Sequence, residues 1–164
     1  MRIRPAIAAD VAAILALERS SATAAHHSEQ QYNQAIWQGL KSGAASRPAS
    51  GGETEGQNRL VLVIEEDSQL KGFLIGRVLG DEWEIENVVV AEEARKQGLG
   101  AALVGEFVKI ARERGGQSVY LEVRESNTAA RRLYEGSHFV ETGRRKDYYR
   151  GPQEDAILYS LRLG

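Results

Sequence analysis

Apolar positions recur along this chain with two periods, and the alternation between those periods predicts its elements. Val119, Leu121 and Val123 alternate with Tyr120, Glu122 and Arg124, the period-2 signature of a half-buried strand over about 117–124. Runs of the same kind predict strands at 2–6, 59–66, 70–79, 83–90, 139–144 and 156–162, with Asp67-Ser68 and Gly80-Asp81 as turns. Helical spacing links Val11, Ile14, Leu15 and Glu18 behind a capping Asp10, within a helical region spanning 8–40. Two further helices are predicted at about 98–114 and 127–135, the second capped by Ser126. Antiparallel strands come first and a β-α-β-α-β-β run follows, so the fold class is α/β (α+β mixed), a mixed sheet flanked by helices. The segment 41–58 is rich in Ser, Gly, Ala, Pro and Glu, has no apolar residue larger than alanine, and reads as a mobile loop.

At 164 residues the chain supports one domain with a sizeable core. A formal net charge of −2 gives no global drive toward nucleic acid, and the local cluster Arg144, Arg145, Lys146, Arg150 reads as a solvated loop. Without cysteine there is no disulfide framework and no thiolate nucleophile, and His26, His27 and His138 lack metal-ligand spacing, so no metal is expected. Asp10 interrupts the alanine-rich N-terminal stretch and Glu18-Arg19 end it, which argues against a signal peptide. No run approaches the ~20 apolar residues of a membrane span. A cytoplasmic protein with neither membrane nor nucleic-acid partners is the expectation.

The most specific chemistry lies at Arg95-Lys96-Gln97-Gly98-Leu99-Gly100, between the apolar run Val88-Val89-Val90 and a helix beginning near Ala101. A strand entering a basic, glycine-containing turn and then a helix leaves backbone N–H groups unpaired at the positive end of the helix dipole, which suits a phosphate. A P-loop would need Lys-Ser or Lys-Thr after the last glycine, and a dinucleotide fingerprint a third glycine where Leu103 stands. Neither fits. The second cluster is Glu122, mid-strand among apolar neighbours, followed by Asn127, Ala130, Arg131 and Tyr134 near one helix face. A carboxylate, an amide and a phenol can thus converge on one cleft, although each taken singly is also an ordinary strand, helix-start or core residue. Glu84 and Glu86 share a face of the neighbouring strand and are rival bases.

Arg95, Gly98 and Gly100 match the acetyl-CoA loop of the GNAT N-acetyltransferase superfamily, which reads Arg or Gln, two residues, Gly, any residue, Gly or Ala. With LEVRESN at 121–127, Ala130, Leu133-Tyr134, the run from Gly143 to Tyr149 and Glu154-Asp155-Ala156, the chain resembles the bacterial ribosomal-protein-alanine (RimI-like) branch over about 83–163. That resemblance implies a GNAT-like, mostly antiparallel mixed sheet of six to seven strands, in which a bulged strand at 84–90 splays from the strand carrying Glu122 and holds acetyl-CoA. It implies Glu122 as general base and Tyr134 as general acid. Val88, Val89 and Val90 would line the pantetheine, Arg95, Lys96, Gln97, Gly98, Leu99, Gly100 and Ala101 the pyrophosphate, and Asn127 would bond the cofactor arm. The acceptor would be a protein N-terminus; the alternatives are a small amine or, with no catalysis, an acyl-CoA-binding regulatory module.

Two stretches depart from that branch. Where its members usually carry a Phe-Pro and Pro-Trp-rich segment forming one acceptor wall, this chain reads Ser20 to Glu29 with His26-His27. Where they usually end the helix after Leu-Tyr with Gly-Phe, it has His138-Phe139, which implies a locally rebuilt helix end.

Overall fold

In a computed structural model, which describes residues 1–21, 27–41 and 58–164, seven strands form one sheet in the order β1-β2-β3-β4-β5-β7-β6. They are β1 Arg2–Pro5, β2 Arg59–Glu66, β3 Gln69–Leu79, β4 Glu82–Val90, β5 Ser118–Arg124, β6 Val140–Tyr149 and β7 Glu154–Arg162. The helices are α1 Val11–Ser20, α2 Glu29–Lys41, α3 Leu99–Glu113 and α4 Thr128–Gly136. All neighbours pair antiparallel except β4 and β5, which the crossover through α3 makes parallel. Asp67 and Ser68 both have positive φ (50° and 62°), the two-residue turn whose twist suits a β2–β3 hairpin. The expected mobile loop at 41–58 lies, apart from its two end residues, outside the described residues. No described helix is long and apolar enough to cross a membrane.

The sheet has a core on each face. Leu60, Leu62, Ile64, Leu74, Trp83, Ile85, Val119, Leu121 and Val123 meet Leu103, Val104, Phe107 and Ala111 of α3 and Tyr134 of α4. On the other face Val61, Val63, Phe73, Ile75 and Val89 meet Val11 and Ile14 of α1 and Tyr32, Ala35 and Ile36 of α2. The unbroken apolar run of β2 from Leu60 to Ile64 follows from this, since a strand covered on both faces must be apolar at every position.

Two capping expectations change in the structure. Asp10 precedes α1, but its carboxylate makes no bond to that helix; it accepts from the Ile7 N–H at 2.8 Å and from both terminal nitrogens of Arg4 at 2.8 and 3.0 Å. These bonds hold the Asp10 carboxyl below its ordinary value of 3.8, against the opposing effect of burial. A carboxyl depressed on folding stabilises the fold above its unfolded pKa and loses that contribution as pH falls. Asp10→Asn is therefore expected to cost about 2 kcal/mol near neutral pH, the range of charge-assisted hydrogen bonds. Denaturant titrations should show the gap between variant and wild type closing below about pH 4; a gap independent of pH would remove the charge from the account. At α4, Asn127 rather than Ser126 is the cap, its Oδ1 accepting from Ala130 N–H at 3.2 Å. Ser126 is drawn away because its N–H and hydroxyl both bond the Glu154 carboxylate.

Candidate active site

The β4–β5 ladder is short. It pairs Glu82 with Ser118, Trp83 with Val119 and Glu84 with Tyr120, and stops there. The cause lies on the other edge of β4, where Gly76 of β3 pairs with Ile85 but Ile75 pairs with Asn87, leaving Glu86 as the extra residue of a bulge. The bulge also exchanges faces: Ile85 packs toward α3, whereas Val89, four residues on, packs toward α1 and α2. Beyond it, β4 and β5 diverge. The β4–β5 ladder does not extend past Glu84–Tyr120, and an opening of this kind is where an extended ligand can add as a strand. Val88 and Val90 lie beside the α3-side core and Val89 is buried on the opposite face.

The chain leaves β4 through a 3-10 turn at Glu92–Ala94 and enters α3. Arg95 Nε donates to the Val90 carbonyl at 3.2 Å, bracing this turn with the side chain expected to meet phosphate. Lys96 (φ 63°) and Gly98 (φ 80°) are both left-handed, and a Cβ on Gly98 would meet nothing within 4 Å. The open side of the loop is thus its glycine side. No side chain caps α3, so the N–H groups of Leu99, Gly100 and Ala101 are the orphan donors of its first turn. At Gly100 the missing side chain also serves packing: a Cβ there would lie 3.3 Å from Leu133 and 3.8 Å from Val90. The missing side chain lets α4 close on the start of α3.

Glu122 and Tyr134 do not share one face. Glu122 projects from β5 opposite Val119, Leu121 and Val123. Its side chain is 18% exposed and Oε1 forms an ion pair with Arg145 Nε of β6 at 3.1 Å. Tyr148, exposed on β6 beside Arg145, has its phenol pKa raised chiefly by the Glu122 charge. Tyr149 is pushed up to about 12, by burial first and then by Glu122, while Arg124 lies 4.4 Å over its ring. The basic cluster read as a solvated loop is in fact the end of β6, with Arg144 paired to Glu125 and Asp155, each at 2.9 Å. Tyr134 faces the α3-side core, its ring 5.9 Å from Phe139 and 6.4 Å from Tyr159, and burial raises its pKa. The carboxylate and phenol therefore stand on opposite faces of the sheet at the β4–β5 opening. His138 takes the left-handed conformation (φ 73°) that a glycine would supply, and Phe139 still reaches the core.

The rival carboxylates are committed elsewhere. Glu84 is bonded by Arg77 Nε and lies 3.5 Å from the Tyr120 hydroxyl; burial raises its pKa against the pull of Arg77. Glu86 is bonded by His27 and Arg59, which outweigh burial and hold it below the usual range. A depressed, doubly bonded carboxylate is a poor proton acceptor. Among the described residues Glu122 has one ion-pair partner, Arg145, which is 56% exposed, and the neutral hydroxyl of Tyr148 as its other neighbour. No local sequence pattern pointed to His27 or Arg59, because their partner lies 59 or 27 residues away.

These features agree with what the chain is similar to. It is 33% identical over 150 residues to the ribosomal protein bS18-alanine N-acetyltransferase of Escherichia coli K12, covering 90% of this chain and 95% of that one. The crystal structure of the ribosomal-protein-S18-alanine N-acetyltransferase from Escherichia coli superposes with a TM-score of 0.77 at 27% identity, covering 99% of this chain and 94% of that one. The Salmonella typhimurium protein yncA, solved with its cofactor acetyl-CoA, shares the fold at a TM-score of 0.78 and 21% identity, covering 100% of this chain and 94% of that one. The model of the acetyltransferase (GNAT) family matches residues 12–139, and the chain belongs to that family of N-acetyltransferases.

Proposed function

We propose that this protein transfers acetyl from acetyl-CoA to the N-terminal α-amine of a protein, in the manner of its ribosomal-protein-alanine relatives. The observation that carries the acyl-transfer step is the bulge at Glu86, which opens β4 from β5 directly beyond the Glu84–Tyr120 pair. Pantetheine pairs with the exposed edge at Val88, Val89 and Val90, and the pyrophosphate sits on the N–H groups of Leu99, Gly100 and Ala101 behind the loop from Arg95 to Gly98. Asn127 has its oxygen occupied by the α4 cap but retains an amide N–H for the cofactor arm.

The acceptor amine must be neutral to attack. At pH 7 deprotonation costs about 1.4 kcal/mol for an α-amine of pKa near 8 and roughly 4.6 kcal/mol for a lysine of pKa near 10.4. The α-amine is the easier substrate. Glu122 takes its proton, directly or through water, once the incoming ammonium displaces Arg145, and Tyr134 donates a hydrogen bond to the departing thiolate. Tyr148 and Tyr149 flank Glu122 and offer rings to the first side chains of a peptide.

Peptides beginning with alanine should gain one acetyl group on the α-amine, and Tyr149→Ala should lose peptide turnover more than acetyl-CoA affinity. Acetylation seen by mass spectrometry only on lysine, or of small amines but no peptide, would overturn this acceptor. Gly98→Val tests the other end of the site. Its φ of 80° suits glycine, so the loop must rearrange, and calorimetry should show acetyl-CoA binding at least about tenfold weaker, a loss of ~1.4 kcal/mol or more. Unchanged affinity would place the pyrophosphate elsewhere.

A further inference from the structure

The bulge residue is anchored from outside the sheet. The Glu86 carboxylate accepts from Arg59 Nε of β2 at 3.1 Å and lies 3.6 Å from Arg77 Nε of β3, both within the sheet. Its other oxygen is 3.0 Å from His27 Nε2, and His27 belongs to the connector between α1 and α2. That connector end is itself fixed. The His27 backbone N–H donates to Glu18 Oε1 at 2.7 Å, the same oxygen accepts from the Tyr32 hydroxyl at 3.1 Å, and the Tyr32 ring stands 5.4 Å from the imidazole. Glu18 is 2% exposed, and the His27 side chain only 10%. His27 Nδ1 is buried, 3.7 Å from Glu18 Oε1, with no hydrogen-bond partner among the described residues. The imidazole thus sits between two carboxylates, one on α1 and one at the bulge.

We propose that His27 is a positioning residue, whose Nε2 bond to Glu86 fixes the bulge and so sets the β4–β5 opening from the α1–α2 connector. An extra residue in a ladder can migrate along the strand unless something outside the ladder holds it, and a shift by one position would turn Val88, Val89 and Val90 to the wrong faces. Arg59 and Arg77 bind Glu86 from within the sheet and move with it. His27 refers the bulge to the helices on the other side. The imidazole touches no reacting atom; it acts through β4. The consequence for function rests on the reading of the opening as the acyl-CoA slot.

His27→Ala removes the bond, whereas His27→Gln keeps an amide N–H at the position of Nε2. In the alanine variant, backbone hydrogen exchange over 84–90 should quicken by about tenfold, as expected when a local opening becomes easier. The acetyl-CoA Kd and KM should rise about tenfold with a smaller change in kcat. His27→Gln should restore exchange and affinity to within about threefold of wild type. Equal defects in the alanine and glutamine variants, or unchanged exchange in both, would overturn the proposal. Should the alanine variant not fold, Glu86→Gln loosens the same bond from the other side and should quicken exchange over the same stretch; unchanged exchange there would overturn it equally. If exchange responds as stated but wild-type protein binds no acetyl-CoA, the pin stands and the slot reading falls.

Discussion

Glu122→Gln is expected to lower turnover by about 10² or more while leaving acetyl-CoA affinity within about twofold of wild type, the pattern of a lost general base. The substitution keeps the size and hydrogen-bonding outline of the side chain, and Val119, Leu121 and Val123 hold β5 on the opposite face, so the strand should not move. What is lost is the lone pair that accepts the ammonium proton and the charge that draws the ammonium in place of Arg145. The second loss raises the acceptor KM as well, so the decline in kcat/KM for peptide should exceed that in kcat. The same fall in turnover at unchanged affinity in Glu84→Gln would move the base to β4. Glu86→Gln should behave differently, losing affinity for acetyl-CoA through the bulge.

What could be read from the sequence was what depends on near neighbours. The alternation across 118–124 placed Glu122 opposite its apolar partners, and Asp67-Ser68 marked the hairpin turn, because pleat and turn are set by residues one or two apart. The bulge was not readable in this way. Trp83, Ile85, Asn87 and Val89 form an unbroken buried alternation, yet Ile85 and Val89 end on opposite faces since the extra residue is defined by pairing with β3. Ser126 looked like a cap until Glu154, 28 residues away, claimed its N–H and hydroxyl. One long-range feature did leave a trace. Glu18 lies on the apolar stripe of α1 with Val11 and Ile14, and a carboxylate on a buried stripe requires partners. Those partners are His27 and Tyr32, the pair that anchors the bulge.

Tyr134→Phe is expected to slow the chemical step by about 10² with the fold and the acetyl-CoA affinity preserved, as for loss of a general acid. The phenol is 6% exposed, and burial raises its pKa above the ordinary value of 10.0. It therefore stays protonated throughout the neutral range and is available as a hydrogen-bond donor to the departing thiolate. Because a thiol pKa of about 8.5 lies below that of the phenol, the hydroxyl acts by stabilising the developing negative charge on sulfur, and net protonation is completed from solvent. Phenylalanine fills the same space against Phe139 and Tyr159, and the hydroxyl makes no hydrogen bond within the described residues that its removal would strand. The melting temperature should accordingly stay within about 2 °C of wild type, since losing an unpaired hydroxyl from a packed site is close to neutral. Leu133, next along α4, keeps its contact with Gly100 and so holds the helix against the start of α3. Single-turnover measurements with enzyme in excess isolate the chemical step from product release. A wild-type rate under those conditions would make Tyr134 a packing residue and transfer the proton donor to water or to Tyr149, the half-buried phenol beside Glu122.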